Sequence, residues 1–144
     1  MGAGRFSDVS KKLDKSHHIL IADDDPAILL LVKAVVEGEG FAAVTAVDGK
    51  EAYNILKSGV EINAAVVDIM MPYIKGIDLV KFMRGDVRFQ KIPVIIMTAE
   101  QNPEVSSDSF NAGAVAFLPK PFSNLQLKTM LGTFIRQGAA RSIK

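Results

Sequence analysis

The chain has 144 residues, of which 49% are hydrophobic and 23% are charged, and its net charge at pH 7 is +1. Its length is typical of one domain, and its low net charge argues against a dedicated nucleic-acid-binding protein, which would carry a basic patch. The absence of cysteine excludes disulfides and thiolate metal sites, and no apolar run approaches the about 20 residues that cross a membrane.

The first half of the chain alternates between short apolar runs and stretches of helical spacing. The run at 19–22 predicts the first strand, and apolar residues spaced i, i+3, i+4 and i+7 after Pro26 predict the first helix. Those residues are Ile28, Leu31, Val32 and Val35. A run at 41–47 predicts the next strand, and the turn Asp48-Gly49 then opens a second helix. The apolar face of that helix consists of Ala52, Ile55 and Leu56.

The second half of the chain continues this alternation. Apolar runs at 64–67, 94–97 and 115–118 predict three further strands. Three further helices are predicted, and the fourth helix of the chain, Pro103–Ala112, is mostly polar. The apolar positions are Leu79, Val80 and Met83 in the third helix and Leu127, Met130, Leu131 and Phe134 in the fifth.

Five strands alternating with five helices indicate an α/β fold, in which a doubly wound, five-stranded parallel sheet is covered by helices on both faces. We assign this domain to residues 18–137. Residues 1–17 are expected to be a flexible leader, and 138–144 a tail too short to fold alone, so the domain would act by itself or within a longer protein. In such sheets ligands bind beyond the carboxyl ends of the strands, so the loops there should carry the function.

Polar residues follow four of the predicted strands at their carboxyl ends. Asp23 and Asp24 follow the first strand, Asp68 the third, Thr98 the fourth and Lys120 the fifth. Each residue has an ordinary explanation when it is taken alone, such as a helix cap for an aspartate or a solvated position for a lysine. Together they would place several carboxylates, a hydroxyl and an ammonium group in one crevice.

The predicted crevice carries a negative charge that a cation would neutralise. Carboxylates a few ångströms apart repel one another, and one of them stays protonated unless a cation joins them. These loops offer oxygen ligands and neither histidine nor cysteine, a set that selects Mg²⁺ or a similar divalent ion. Lysine and threonine beside such an ion are donors to phosphate oxygens, so the crevice is typical of phosphoryl chemistry.

Four motifs in order, "ILIADDDP", "VVDIMMPYIKG", "IIMTAE" and "AFLPKPF", resemble the receiver domain of two-component response regulators. The resemblance implies the flavodoxin-like receiver fold and identifies Asp68 as the phosphoacceptor. It implies that Asp24 binds Mg²⁺ directly, that Asp23 acts largely through water, and that the backbone carbonyl of Met70 completes the protein's ligands.

The same resemblance assigns the remaining site residues. Thr98 and Lys120 would bind phosphoryl oxygens, and Phe117 would be the aromatic switch residue that moves together with Thr98. The Lys120–Pro121 peptide bond is expected to be cis, because this turn aims the lysine at the phosphorylation site in similar domains. The chain would then be a signalling phosphoacceptor that assists its own phosphorylation and dephosphorylation, and not an enzyme.

The resemblance also implies the partners of the chain. The phosphodonor would be a histidine kinase or a histidine phosphotransfer protein, and a downstream protein would recognise the surface of the fourth helix, fifth strand and fifth helix. No direct contact with nucleic acid or membrane is expected, and the location is expected to be cytoplasmic because the N-terminus lacks a secretory signal. On the first helix, Leu30 lies away from the predicted core face, and we expect it to contact the phosphodonor.

Two other functions remain open from the residues alone. The first is a receiver-fold domain that binds a partner protein without being phosphorylated. Such a domain could lack one or more of the site residues, whereas this chain has all of them. A hydrolase of the haloacid dehalogenase type also uses an aspartate nucleophile and Mg²⁺. Its nucleophile, however, follows the first strand in an Asp-x-Asp pattern, whereas Asp68 follows the third.

Overall fold

A computed structural model of the chain describes residues 17–100 and 102–136. The predicted leader at 1–17 lies outside the described residues except for His17, and the predicted tail at 138–144 lies outside them entirely. Five strands form one sheet in the order β2-β1-β3-β4-β5, and every neighbouring pair is parallel. The predicted doubly wound α/β fold is therefore confirmed.

The elements follow one another in strict β-α alternation. The strands are β1 (His18–Ala22), β2 (Ala42–Ala46), β3 (Ala64–Asp68), β4 (Val94–Thr98) and β5 (Ala116–Pro119). The helices are α1 (Pro26–Gly38), α2 (Gly49–Lys57), α3 (Gly76–Arg84), α4 (Pro103–Ala112) and α5 (Asn124–Met130), and α5 continues into a π-helical turn, Leu131–Arg136. No helix within the described ranges is long and apolar enough to cross a membrane.

The alternation of side chains along each strand divides the core into two layers. In β3, for example, Val66 packs on one face of the sheet with α1 and α5, and Val67 packs on the other face with α2, α3 and α4. The central strands β3 and β4 are buried along their whole length, as expected for strands covered on both faces. The polar helix α4 contributes little to this core, since Ser109 is its one fully buried residue.

Side-chain caps fix where several helices begin, and this determines the loops above the sheet. The Asp25 carboxylate accepts hydrogen bonds from the backbone N–H groups of Ala27 and Ile28, and Pro26 occupies the first turn of α1. Asp48 caps α2 in the same way through the N–H of Glu51, at 2.7 Å. Capped helix starts therefore lie directly above the ends of β1 and β2.

Phe134 belongs to the apolar stripe predicted for the fifth helix, but it does not pack in the core. Phe134 is exposed, whereas the next residue, Ile135, is buried together with Leu127 and Leu131. These three buried residues are spaced four apart, because the chain widens into the π-helical turn after Met130. A pattern that assumes 3.6 residues per turn loses its phase at such a turn and points to the wrong side chain.

Candidate functional site

The sheet brings the predicted site residues together at one edge. Strands β1, β3, β4 and β5 are consecutive neighbours, and their registers align the strand ends: Ala22 lies opposite Val67, Asp68 opposite Met97, and Thr98 opposite Pro119. The residues at or just beyond these ends share one crevice for that reason. They are Asp23, Asp24, Asp68, Thr98 and Lys120.

Three carboxylates lie close together at this edge of the sheet. One oxygen each of Asp23, Asp24 and Asp68 lies within 4.8 Å of the other two. Asp23 and Asp68 are buried and Asp24 is exposed. The backbone N–H of Asp25 donates to Asp23 at 2.9 Å, which fixes the orientation of that carboxylate. Asp25 itself serves as the α1 cap and is not part of the carboxylate cluster.

Lys120 reaches this acidic cluster from the loop after β5. Its Nζ donates to Oδ2 of Asp23 at 2.6 Å and lies 3.5 Å from Oδ1 of Asp68. Burial alone would lower the pKa of Lys120, but the hydrogen bond to Asp23 and the charge of Asp68 outweigh burial and raise the pKa above its ordinary value. The ammonium group is therefore charged at neutral pH. The Lys120–Pro121 bond is cis, as predicted, and the backbone N–H of Lys120 donates to the carbonyl of Thr98 at 2.8 Å.

The environment of Asp68 raises the pKa of its carboxyl group to about 6. Burial is the largest cause, the negative charge of Asp23 adds to it, and Lys120 opposes it. At pH 7 the carboxylate is still mostly ionised, so three negative charges face one ammonium group. That imbalance, together with a donor set made only of oxygen atoms, fits a divalent cation of the Mg²⁺ type.

An open cleft of about 460 Å³ lies above Asp68. Its lining is formed by Asp68, Met70, Thr98, Ala99, Glu100 and Lys120. Thr98 is buried, and its hydroxyl oxygen accepts a hydrogen bond from the N–H of Glu100 at 3.1 Å. The hydroxyl can still donate its own proton into the cleft, which is large enough to admit a phosphoryl group.

Phe117 lies on β5, two strands from the strand of Asp68, with β4 between them. It is half-buried and packs against the core layer that contains α2, α3 and α4. It also lines a second cavity, of about 230 Å³, under the start of α4 with Asn102, Pro103 and Ser106. Glu100 lines both cavities, so the loop after Thr98 separates the cleft from the space beside Phe117.

Two features were absent from the residues singled out in the sequence, one at the cleft and one at the opposite edge of the sheet. Glu100 lines the cleft, and its place two residues after Thr98 is a signal that the sequence does contain. The second is Arg84, which donates to the carbonyl of Gly113 through Nε at 3.1 Å and Nη2 at 2.8 Å. The acceptors of Arg84 are backbone carbonyls, which every residue has, so the sequence does not indicate which residues Arg84 would bond.

The sequence profile of the response regulator receiver domain matches residues 19–132 of this chain. The chain belongs to this family. The matched residues include all four strand-end motifs. The haloacid dehalogenase alternative therefore loses its support. The family assignment also agrees with the strand order and with the acidic crevice at the carboxyl edge of the sheet.

Individual receiver proteins show how far the similarity extends. The response regulator GtcR of Aneurinibacillus migulanus is 34% identical over 122 residues, which is 85% of this chain and 49% of that protein. The transcriptional regulatory protein CpxR of Escherichia coli is 33% identical over 119 residues, 83% of this chain and 49% of that protein. This chain thus spans about half the length of the curated relatives it matches.

Solved receiver structures superimpose on nearly their whole length. The chemotaxis response regulator CheY4 of Vibrio cholerae has a TM-score of 0.75 and 28% identity, over 81% of this chain and 96% of that chain. The receiver domain of the Francisella response regulator 1452 has a TM-score of 0.75 and 32% identity, over 88% of this chain and 98% of that chain. The described fold is therefore that of a complete receiver domain.

Proposed function

We propose that this receiver domain accepts a phosphoryl group on Asp68 and acts as a signalling phosphoacceptor. The observation that carries the proposal is the position of Asp68, a buried carboxylate that faces an open cleft, next to a charged lysine and two further carboxylates. A structural aspartate would have its charge satisfied by its neighbours. Here burial and the negative charge of Asp23 raise its pKa despite the opposing effect of Lys120, and the cleft above it is the size of a small ligand.

The acidic cluster is the proposed Mg²⁺ site. Asp24 and Asp68 would be direct ligands, Asp23 would act largely through water, and the carbonyl of Met70 would add a fourth oxygen from the protein. The cluster fits this role because its three carboxylate oxygens lie within 4.8 Å of one another and lack a full complement of positive charge. When bound, the ion supplies positive charge to the oxygens of the incoming phosphoryl group.

The proposed reaction is an in-line transfer from a phosphohistidine. A carboxylate oxygen of Asp68 bonds to phosphorus, the phosphorus–nitrogen bond of the donor breaks, and its electron pair returns to the imidazole, which then takes a proton. Lys120, already 3.5 Å from Asp68, would bind one phosphoryl oxygen, and the Thr98 hydroxyl would donate to another. Positioning and charge neutralisation supply most of the rate enhancement in such transfers.

The proposed output is a shift between two conformations. Thr98 moves toward the phosphoryl oxygens, and Phe117 turns into the space that this movement leaves. The second cavity, of about 230 Å³, between Phe117 and the start of α4 gives the ring room to change position. The surface formed by α4, β5 and α5 would change as a result, and a downstream protein would recognise it.

We also propose that Leu30 contacts the histidine kinase or phosphotransfer protein. Leu30 is 68% exposed, while Leu29 and Lys33 beside it are partly buried. Ala27 and Ala34 are exposed as well, so the outer face of α1 presents a narrow apolar stripe a few residues from Asp24. Such a stripe can pack against an apolar helix of the donor.

Leu30→Glu tests this contact when it is assayed with two donors. Labelling by acetyl phosphate should be unchanged, because the small donor needs no docking surface, whereas transfer from a phosphorylated kinase should fall sharply. Val87→Glu is the matched control, since Val87 is 82% exposed in the loop before β4, at the opposite edge of the sheet. Equal transfer rates from the kinase for all three proteins would remove Leu30 from the interface.

Phosphorylation itself is tested with radiolabelled acetyl phosphate. We expect wild type to be labelled when Mg²⁺ is present and unlabelled in EDTA, and Asp68→Asn to be unlabelled in both. Asp86→Asn is the control, because Asp86 pairs with Arg88 on the surface and should be labelled like wild type. Undiminished labelling of Asp68→Asn would show that the phosphoacceptor is another residue. No labelling of wild type would favour a docking domain that works without phosphorylation.

A further inference from the structure

The first residue of α2 is packed directly against the loop that follows the phosphoacceptor. Gly49 is buried, and its backbone N–H donates to the carbonyl of Pro72 at 3.3 Å. A Cβ atom placed on Gly49 would lie 1.8 Å from the carbonyl oxygen of Ile74. That oxygen belongs to the backbone, so it can make room only if the whole loop moves.

The middle of this loop has an unusual conformation that its own side chains do not explain. Tyr73 has a φ of 73°, in the left-handed region that aromatic residues rarely adopt, and its side chain is 79% exposed. The carbonyl of Pro72 accepts from the N–H of Ile74 at 2.9 Å as well as from Gly49. The turn is therefore held by backbone contacts, and one of the two comes from α2.

The ends of the same loop are fixed by other elements. The N–H of Ile69 donates to Met97 on β4 at 3.1 Å, and the N–H of Gly76 at the start of α3 donates to Ile69 at 2.9 Å. Met70 lies between these anchors and the turn at Tyr73, and its side chain is 54% exposed. The direction of the Met70 carbonyl is thus set by the path of the backbone, which α2 holds from outside.

We propose that the first turn of α2 positions the metal site, with Gly49 fixing the loop that aims the Met70 carbonyl at the Asp23–Asp24–Asp68 cluster. Gly49 is not one of the proposed ligands, and it acts through Pro72 and Ile74. The inference rests on the proposed function, because it takes Met70 as a ligand. Groups that orient metal ligands from outside typically change metal affinity by about 10- to 100-fold when they are altered.

The test compares two glycine variants in calorimetric titrations with MgCl₂. Gly49→Ala displaces the loop, and we expect its Kd for Mg²⁺ to rise about tenfold. Gly38→Ala is the control, because a Cβ on Gly38 at the end of α1 meets nothing within 4 Å, and its Kd should equal that of wild type. Labelling by acetyl phosphate should need more Mg²⁺ in Gly49→Ala and reach the wild-type rate at saturation. An unchanged Kd in folded Gly49→Ala would overturn the inference.

A second pair of variants decides the question if Gly49→Ala does not fold. Asp48 caps α2, so Asp48→Ala loosens its first turn without adding bulk, while Asp48→Asn keeps the cap and removes the same charge. We expect a Kd about threefold higher for Asp48→Ala than for Asp48→Asn. Equal Kd values would overturn the inference while leaving the proposed function intact. A wild-type protein that binds no Mg²⁺ would overturn both.

Discussion

Replacing Asp68 by asparagine should make the protein more stable at neutral pH when no divalent ion is present. Folding buries the Asp68 carboxylate beside Asp23, and one lysine compensates only part of the combined charge. The cost of this arrangement is visible in the pKa of Asp68, which folding raises from 3.8 to about 6. Asparagine has a similar shape and carries no charge, so the variant avoids this cost.

The sign and size of the effect follow from that shift. Below pH 3.8 the carboxyl group is protonated in both the folded and the unfolded chain, and no penalty exists. The penalty grows as pH rises toward 6 and is complete above it, because only the folded state resists ionisation. A rise of this size in the pKa corresponds to about 3 kcal/mol of unfolding free energy. Solvent in the open cleft screens part of this energy, so we expect Asp68→Asn to be more stable than wild type by about 1–2 kcal/mol.

Urea unfolding in EDTA, followed by circular dichroism at pH 4 and pH 7.5, measures this difference. Asp68→Asn should exceed wild type in unfolding free energy at pH 7.5 and match it near pH 4, and Mg²⁺ should stabilise wild type more than the variant. Asp86→Asn is the control, because hydrogen bonds from Arg88 lower the pKa of Asp86 to about 2, so its removal should bring no gain. A wild-type protein as stable as Asp68→Asn at pH 7.5 would refute the reasoning.

Other substitutions test further parts of the account. Arg84→Met should lower the unfolding free energy by about 2–4 kcal/mol, since it removes two short, charge-assisted bonds to Gly113 and two longer ones to Phe89 and Gln90, all to backbone carbonyls. Arg88→Met, on the surface, should have a much smaller effect in the same denaturation experiment, and equal losses would contradict the assignment. Lys120→Met should abolish most labelling by acetyl phosphate while leaving the fold intact by circular dichroism. Phe117 should become more buried when beryllofluoride is added with Mg²⁺, and identical ring signals in NMR spectra of both states would count against its coupling to Thr98.

Much of the site could be predicted because a parallel sheet collects its strand ends at one edge. Asp68 and Thr98 are the last residues of neighbouring strands, and Asp23 and Lys120 follow directly after two others. Once the apolar runs are identified as strands, the crevice can be predicted without any knowledge of side-chain contacts. The helix caps at Asp25 and Asp48 can also be predicted from the sequence, because the hydrogen bonds of a cap join residues only two or three positions apart.

What could not be predicted depends on contacts between backbone groups that are distant in sequence. Arg84 and Gly113 are 29 residues apart in the sequence. The hydrogen bonds from Arg84 to the Gly113 carbonyl require that Gly113 lack a side chain, because a Cβ there would lie 2.7 Å from Nε of Arg84. Gly49 likewise shows only as a turn residue until the loop at Ile74 is in place. The π-helical turn has no signal in hydrophobic spacing, so Phe134 was predicted on the wrong side of the helix.

The central claim, that Asp68 carries the phosphoryl group, is tested most directly by mass spectrometry of the intact and the digested protein. After incubation with acetyl phosphate and Mg²⁺, we expect the mass of the chain to rise by one phosphoryl group and the label to lie on the peptide that contains Asp68. Omission of Mg²⁺ should leave the mass unchanged. A phosphoryl group found on a different peptide, or an unchanged mass with Mg²⁺ present, would contradict the account.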